Sequence, residues 1–234
     1  MGTVALAVGA RPDDIEFMMA GTLAMLRRRG AEVHMWNLTD GSLGGFGEDA
    51  GGVAAIRAAE ARASAAVLGA TLHPPIARDM ELSFDREAQT RVTSVIRDVE
   101  PAIILAPSPM DYHPDREAAS RIVVAAALAR ALPAYRSDPP APPWGGDLTI
   151  YHALPHGLLD PLGGKVAAGL YVDVSGLMDI KRKMLDAHDS QKPLLASTQG
   201  ADPLVLMEAM ATAAGADSRA FAMAEGWRRR SPGD

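Results

Sequence analysis

The sequence predicts a protein of the α/β class, in which helices flank a mostly parallel β-sheet. Short apolar runs alternate with helix-like patterns along the chain, which is typical of βαβ units with right-handed crossovers. Glycine and proline residues separate these runs. The length of 234 residues and the hydrophobic content of 48% are sufficient for one sizeable core. We therefore expect a single domain over residues 1–234.

The first half of the chain carries the clearest alternation. Residues 4–8 predict a strand, residues 19–29 a helix and residues 33–38 a second strand. The alanine-rich residues 53–69 predict a long helix that ends at Gly69. A helix over residues 85–99, a buried strand over residues 102–108 and a further helix after Pro114 continue the pattern.

The second half begins with a segment rich in proline and glycine, residues 136–147, which predicts a surface loop. Two strand-like runs follow, at residues 148–157 and 169–176. Residues 177–188 and 203–215 predict two more helices. We expect the basic end of the chain, residues 228–234, to be a solvated tail.

Composition and charge exclude several classes of function. The net charge of -6 does not favour nucleic acid as a partner, and the absence of cysteine excludes disulfides and thiolate metal sites. The chain starts with a predicted strand instead of a signal sequence. Its most apolar helical stretch, residues 122–132, contains Arg130 and is too short to span a bilayer. We expect a cytoplasmic protein with a small-molecule substrate, and the sequence leaves a homo-oligomer open.

Polar residues are concentrated where three predicted strands end. Ligands of open α/β sheets bind beyond the carboxyl ends of the strands, so we expect these side chains to converge on one site. Proline followed by aspartate is also a common helix start, so each cluster read alone could be a helix cap. The clusters consist of Arg11, Asp13 and Asp14 after the first strand, Thr39 and Asp40 after the second, and Asp111, Tyr112, His113, Asp115 and Arg116 after the fourth.

Three of these positions are expected to contact substrate through polar or aromatic groups: Thr39, Asp40 and Tyr112. His156 joins them, because it follows a strand on the same edge and histidine titrates near neutrality. Arg57 and Glu60 stand one turn apart on a predicted helix, and we expect them to form an exposed or loop-anchoring ion pair.

The motifs RPDD (residues 11–14) and HPDR (residues 113–116) resemble the signatures of the PIG-L, or LmbE-like, deacetylase superfamily, A-H-P-D-D and H-P-D-H. The resemblance extends over most of the chain, through AGTLAMLRRRG, NLTDGSLGG, AIRAAEARASAAVLGA, YHALPHGLLDPL and FAMAEGWRR. It implies a Rossmann-like fold of the LmbE type. It also implies a zinc-dependent hydrolase that removes an acyl group from an amino sugar or a related amide.

The resemblance also implies roles for individual residues. Asp13 matches the general base, and Asp14 matches a zinc ligand. His113 matches a histidine that assists the tetrahedral intermediate or delivers a proton. Asp115 matches a carboxylate that supports the site from behind.

Two positions depart from the family pattern, because Arg11 and Arg116 stand where zinc-binding histidines are expected. A guanidinium has no lone pair for a cation, so only Asp14 remains of three expected ligands, whereas catalytic zinc normally has three. We therefore expect a degenerate zinc site without cofactor, although the resemblance implies zinc. In this hypothesis the two arginines replace the charge of the metal and pair with Asp13, Asp14 and Asp115.

Three outcomes remain open at this stage. A metal binds through other residues, such as Asp14 with His113 and His156. Alternatively, the chain is a metal-free hydrolase of C–N bonds, in which Asp13 or His113 is the base and the arginines hold an oxyanion or an anionic substrate. In the third outcome, the chain binds an anionic metabolite without hydrolysing it, or catalyses a different reaction in the same pocket.

Overall fold

The computed structural model describes residues 2–45 and 49–230. The strands of these ranges are β1 (Val4–Gly9), β2 (Glu32–Asn37), β3 (Thr71–His73), β4 (Ile103–Ala106), β5 (Thr149–Ala153), β6 (Leu170–Asp173) and β7 (Ala224–Arg229). The helices are α1 (Asp14–Met18), α2 (Ala20–Arg28), α3 (Ala50–Leu68), α4 (Arg86–Val99), α5 (Pro114–Ala129), α6 (Met178–Asp186), α7 (Lys192–Gln199) and α8 (Pro203–Ser218).

The strands form one sheet in the order β3-β2-β1-β4-β5-β7-β6. The first five strands of that order are parallel, and β7 pairs antiparallel with both β5 and β6. The α/β class and the mostly parallel sheet are therefore confirmed. Chain connections reverse direction between β1 and β4, which places the crevice of this fold beyond the carboxyl ends of these two strands.

Both faces of the sheet are covered, so the central strands read as continuous apolar runs. Alternate residues of β1 enter different clusters. Ala5 and Ala7 pack with α2, α3 and α6, whereas Leu6 and Val8 pack with α4 and α5. The two layers hold the loops after β1 and β4 against each other.

Four elements differ from the sequence-based expectations. Strand β3 and helix α1 are too short for a periodic pattern, and α7 follows α6 after only a short 3-10 turn. The predicted tail is corrected in part: Arg228 and Arg229 belong to β7, where Arg229 pairs with Tyr151 of β5. Residues 231–234 of the predicted tail lie outside the described residues. Residues 136–147 contain neither helix nor strand, as predicted for a loop.

No helix within residues 2–45 and 49–230 is long and apolar enough to cross a bilayer.

A buried ion pair fixes the start of α2. Glu225 of β7 accepts hydrogen bonds from the backbone N–H groups of Gly21 (2.9 Å) and Thr22 (2.7 Å). The Nζ atom of Lys181 lies 2.6 Å from Glu225 Oε1 and also donates to two backbone carbonyls of α1. Both side chains are almost fully buried. This pair therefore joins α1, α2, α6 and β7.

We expect Lys181→Met to lower the free energy of unfolding by about 3–5 kcal/mol, because it leaves the carboxylate of Glu225 buried without its cation. Urea unfolding followed by tryptophan fluorescence measures the change. Lys192→Met is the matched control, because Lys192 pairs with Asp186 and Asp189 at the surface. That change is expected to cost about 0–1 kcal/mol. Equal losses for both variants would contradict the assigned role of Lys181.

Candidate active site

The candidate site lies at the carboxyl edge of the sheet, between the loop after β1 and the loop after β4. The first loop runs directly into α1, whose first residue is Asp14. The second loop ends at His113, which caps α5. The two motifs that were predicted to converge are therefore in direct contact through Asp14 and Arg116.

Asp14 is fully buried and has four hydrogen bonds. Its Oδ2 atom accepts from the backbone N–H groups of Ala10 and Arg11, at 3.0 Å each. Its Oδ1 atom accepts from Nε (2.9 Å) and Nη2 (2.7 Å) of Arg116. Burial opposes ionisation of Asp14, but the guanidinium groups of Arg116 and Arg11 outweigh it and lower the pKa of this carboxyl well below its usual range.

Arg116 extends this network to a second carboxylate. Its Nη1 atom donates to Asp111 Oδ1 at 3.2 Å, and its Cζ atom lies 5.2 Å from the ring centroid of Tyr112. Burial disfavours the charge of Arg116, but Asp14 and Asp111 raise its pKa well above the ordinary value. The expected pair with Asp14 is present. The expected pair with Asp115 is not, because Asp115 accepts instead from the backbone N–H of Met80 at 2.8 Å.

Asp13 forms an ion pair with Arg57, a residue for which Glu60 is the expected partner. Arg57 of α3 is 1% exposed, and its Nη2 atom donates to Asp13 Oδ2 at 3.0 Å and to the carbonyl of Pro12. The expected pair of Arg57 with Glu60 is therefore wrong. Glu60 accepts instead from the backbone and hydroxyl of Ser190. The reason is that Arg57 lies on the inner face of α3, where the loop after β1 offers two acceptors.

Asp13 also has a backbone conformation that side chains rarely adopt, with φ at 102°. Such a conformation costs of order 1–3 kcal/mol and persists only where the surroundings fix it. Arg57 supplies that fixation through its bonds to Asp13 and Pro12. The loop is thus held in one geometry between α3 and the sheet.

Arg11 lies beside these pairs without joining them. Its Nε atom is buried and has no hydrogen-bond partner among the described residues. Burial lowers its pKa, but the charges of Asp13 and Asp14 more than compensate and raise it. Arg11 therefore stays cationic and keeps donors that are not used by Asp13 or Asp14.

His113 is neutral at physiological pH, because burial and the charge of Arg11 lower its pKa to about 4. Its Nδ1 atom accepts from the backbone N–H of Asp115 at 3.3 Å. A neutral imidazole whose Nδ1 is an acceptor carries its proton on Nε2. His113 is therefore a hydrogen-bond donor at Nε2, which suits it to hold an oxyanion better than to act as a base.

Asp79, in the loop after β3, is a member of the site that the sequence reasoning missed. Burial raises the pKa of Asp79, and the same cause raises the pKa of Asp115. Asp79 is 3% exposed, and its Oδ1 atom has no partner among the described residues. The position of Asp79 after a strand could have indicated its role. However, β3 has only three residues, which is too short for a recognisable strand pattern.

The loop after β2 holds the loop after β1 in place. Thr39 is fully buried and donates its hydroxyl to the carbonyl of Ala10 at 2.9 Å. Asp40 accepts from the backbone N–H groups of Ser42 and Asp79, at 3.0 Å each. Thr39 holds the loop after β1 through this hydrogen bond, and Asp40 is partly exposed.

Tyr112 and His156 lie at the outer side of Arg116. Tyr112 is 55% exposed, and its ring centroid is 6.2 Å from that of His156. The backbone N–H of His156 donates to Asp111 Oδ2 at 3.1 Å, and its Nε2 atom lies 3.2 Å from Gln199 Oε1. Burial and the charge of Arg116 lower the pKa of His156. Its ring therefore adds a neutral wall to the site.

The residues at the positions where the resemblance implies zinc ligands do not fit a zinc ion. Arg11 and Arg116 have no lone pair to give, and both oxygens of Asp14 already accept two hydrogen bonds each. The alternative donor set of Asp14, His113 and His156 is not assembled either. Among the residues described, no group of three histidine, aspartate or glutamate side chains is arranged to hold a metal.

Two comparisons with known proteins indicate the same family. Residues 6–127 match the model of the PIG-L family, described as GlcNAc-PI de-N-acetylase. The chain is 32% identical over 203 residues to a diacetylchitobiose deacetylase of Thermococcus kodakarensis, a match that covers 80% of this chain and 70% of the relative.

Two solved structures are similar over almost the whole chain. The N,N'-diacetylchitobiose deacetylase of Pyrococcus horikoshii has a TM-score of 0.82 at 25% identity, covering 97% of this chain and 84% of the other. GalB, the 4-carboxy-2-hydroxymuconate hydratase of Pseudomonas putida KT2440, has a TM-score of 0.83 at 21% identity, covering 99% and 98%. The latter likeness concerns the fold alone.

Proposed function

The chain belongs to the PIG-L family of de-N-acetylases, and from this premise we propose that it hydrolyses the C–N bond of an N-acylated small molecule, such as an amino sugar conjugate, without zinc. The family match supports the class of reaction. The observation that carries the metal-free form is the guanidinium of Arg116 on Asp14 Oδ1, at 2.7 Å. This contact supports the metal-free form, because it brings a positive charge to Asp14, a residue for which the resemblance implies a metal.

In the proposed reaction Asp13 is the general base. Its carboxylate takes a proton from water as the water oxygen attacks the acyl carbon, and the same proton passes to the nitrogen as the C–N bond breaks. The products are a carboxylic acid and an amine. Arg57 positions Asp13, because it fixes both the carboxylate and the loop carbonyl beside it.

The negative charge that develops on the acyl oxygen needs donors that are already in place. His113 supplies a neutral Nε2–H group, and Arg11 supplies a cation with unused donors. Arg116 contributes its positive charge from the buried side of the site, while its guanidinium remains paired with Asp14 and Asp111. This division of roles fits the different exposure of the two arginines, since Arg11 is partly exposed and Arg116 is 2% exposed.

A second function is favoured by a specific observation on Arg11. Among the described residues it takes part in no ion pair within 4.0 Å, so its charge is available for an anionic ligand. The alternative is therefore a family member that binds an anionic metabolite without hydrolysis, or that catalyses a different reaction in this pocket.

Asp13→Asn separates these functions, because it removes the base while preserving the shape of the side chain. We expect release of acetate from N-acetyl amino sugar conjugates to fall by about 10²–10⁴-fold. Asp98→Asn, at an exposed position of α4, is the matched control and is expected to retain full activity. If wild type and Asp13→Asn release acetate at the same background rate, the hydrolase proposal is excluded.

The alternative has its own readout in the same proteins. A gain in melting temperature with glucosamine 6-phosphate, abolished in Arg11→Gln and retained in Asp13→Asn, supports anion binding without hydrolysis.

A further inference from the structure

A groove on one face of the sheet lies away from the candidate active site. It is formed near the amino ends of β4 and β6, whereas the candidate active site follows the carboxyl ends of β1 and β4. Helix α2 forms one wall of the groove, and β6, the edge strand of the sheet, forms the other. Strands β4, β5 and β7 form its floor.

The inner part of the groove is apolar and has a volume of about 150 Å³. Its walls include Met25 and Leu26 of α2, Ile103 of β4, and Leu170 and Val172 of β6. Leu170 is 45% exposed, and an exposed apolar patch with a polar rim is typical of a binding surface. An apolar cavity of about 150 Å³ is large enough for benzene. The inner part therefore has room for a group of about the size of one aromatic ring.

The outer part of the groove is wider and carries positive charge. Tyr151 and Leu170 line both parts, and Arg228 and Arg229 join them in the outer part, which has a volume of about 370 Å³. Tyr151 of β5 lies directly opposite Arg229 of β7. Side chains of directly opposite residues share one face of the sheet and lie close together. The hydroxyl of Tyr151 and the guanidinium of Arg229 therefore present hydrogen-bond donors beside the apolar part.

The charge of the outer part is not balanced by a carboxylate. Among the described residues neither Arg228 nor Arg229 forms an ion pair, although acidic residues outnumber basic ones in the chain, 29 to 23. Both side chains are exposed, so their donors are accessible. A guanidinium pairs with a carboxylate through two parallel hydrogen bonds. The outer part is therefore complementary to a carboxylate.

We propose that this groove binds a small carboxylate whose apolar part is about the size of one aromatic ring. The ring lies between α2 and β6, and the carboxylate pairs with Arg229 and Arg228 and accepts a hydrogen bond from the hydroxyl of Tyr151. The groove shares no residue with the cluster around Asp14 and Arg116. The ligand is therefore distinct from the substrate of the proposed hydrolysis.

The probe for this proposal is 3-phenylpropionate, with 3-phenylpropan-1-ol and propionate as matched compounds that lack the charge or the ring. Each compound is titrated into ¹⁵N-labelled wild-type protein and followed by NMR, including the indole signal that disappears in Trp227→Phe, because Trp227 lines the apolar part. We expect saturable shifts of this signal with 3-phenylpropionate, and affinities weaker by about tenfold or more for the other two compounds.

Two changes at the groove are expected to weaken 3-phenylpropionate by about tenfold or more. Arg228→Gln combined with Arg229→Gln removes the cations, and Leu170→Glu places a negative charge beside the apolar part. Leu170 is partly exposed on an edge strand, so this variant is expected to fold. The affinities of these variants carry the test if Trp227→Phe does not fold.

Matched controls make the same changes elsewhere. Arg86→Gln combined with Arg121→Gln lies at exposed positions of α4 and α5, which cover the other face of the sheet, and Leu162→Glu lies at a position that is 96% exposed. Arg11→Gln removes the available cation of the candidate active site. All three are expected to bind 3-phenylpropionate as the wild type does.

Four results would each overturn the proposal. The first three are the absence of saturable shifts, equal affinity for 3-phenylpropan-1-ol, and loss of binding in Arg11→Gln, which would place the probe in the candidate active site. The fourth is a wild-type dimer that Leu170→Glu dissociates in analytical ultracentrifugation, because a second copy of the chain would then cover the groove.

Discussion

Arg11→His combined with Arg116→His is expected to bind about one zinc ion per chain, whereas the wild type is expected to bind none in stoichiometric amount. The substitutions remove two cations from the site and add two imidazole ligands. They also free Asp14 Oδ1, which in the wild type accepts two hydrogen bonds from Arg116. The number of protein ligands therefore rises from one to three, the usual number in a catalytic zinc site.

The measurement is elemental analysis after purification without chelator and dialysis against zinc-free buffer. Arg28→His combined with Arg121→His is the matched control, because it adds two histidines at exposed positions away from the site. Stoichiometric zinc in the wild type would refute the metal-free proposal. A double variant at positions 11 and 116 that stays free of zinc would show that these are not ligand positions.

The same double variant tests whether the positive charges of Arg11 and Arg116 can replace the catalytic function of a zinc ion. Zinc lowers the pKa of bound water to about 7, whereas a guanidinium only stabilises charge that another base creates. If the site is otherwise intact, the zinc-loaded variant is expected to hydrolyse N-acetyl amino sugars faster than the wild type. Unchanged activity together with bound zinc would indicate that the wild-type site is already adapted to a different reaction.

The sequence predicts the central part of the site well, for a physical reason. Strands β1 and β4 are buried on both faces, so their apolar runs are unambiguous and their ends can be located within a few residues. Asp14 begins the helix that follows β1, Arg116 lies in the first turn of the helix that follows β4, and the structure joins them at 2.7 Å. The convergence of two loops whose residues are 102 positions apart was thus predictable from strand topology, whereas the pairing of Arg116 with Asp14 was predicted from the motif resemblance.

The supporting residues were not predictable in the same way. Arg57 lies in an alanine-rich helix whose inner and outer faces differ little in hydrophobicity, so its burial leaves no periodic signal. Asp79 follows a strand of only three residues. His188, at the end of a predicted helix, is 2% exposed, and its Nε2 atom lies 3.3 Å from Glu16 Oε1. Each of these positions depends on tertiary packing that local pattern does not encode.

The end of the chain illustrates the same limit. Arg228, Arg229 and Arg230 resemble a solvated basic tail, yet the first two extend β7 alongside β5. Antiparallel strands can leave one face exposed, so charged residues near a strand end do not exclude it. Trp227, 1% exposed in the same strand, was the better indicator.

Arg116→Met is expected to be the most destabilising single change at the site, lowering the free energy of unfolding by about 3–5 kcal/mol at neutral pH. Methionine fills a similar volume but leaves the carboxylates of Asp14 and Asp111 buried without the cation that they share. Arg121→Met is the matched control on the same helix. Its guanidinium lies over the ring of Phe84 at an exposed position, where losses of about 0.5–1 kcal/mol are typical.

The pH dependence of this loss distinguishes charge from packing. In the wild type the pKa of Asp14 is lowered by folding, so its stabilisation is present above the unfolded pKa and is lost as pH falls. Without Arg116 we expect burial to dominate and raise that pKa, which reverses the sign: stability is then present at low pH and lost as pH rises. The deficit of Arg116→Met should therefore shrink between about pH 7 and pH 4, near the ordinary pKa of aspartate. Urea unfolding at both pH values measures it, and a deficit that does not change with pH would mean that Arg116 contributes through packing and not through its charge.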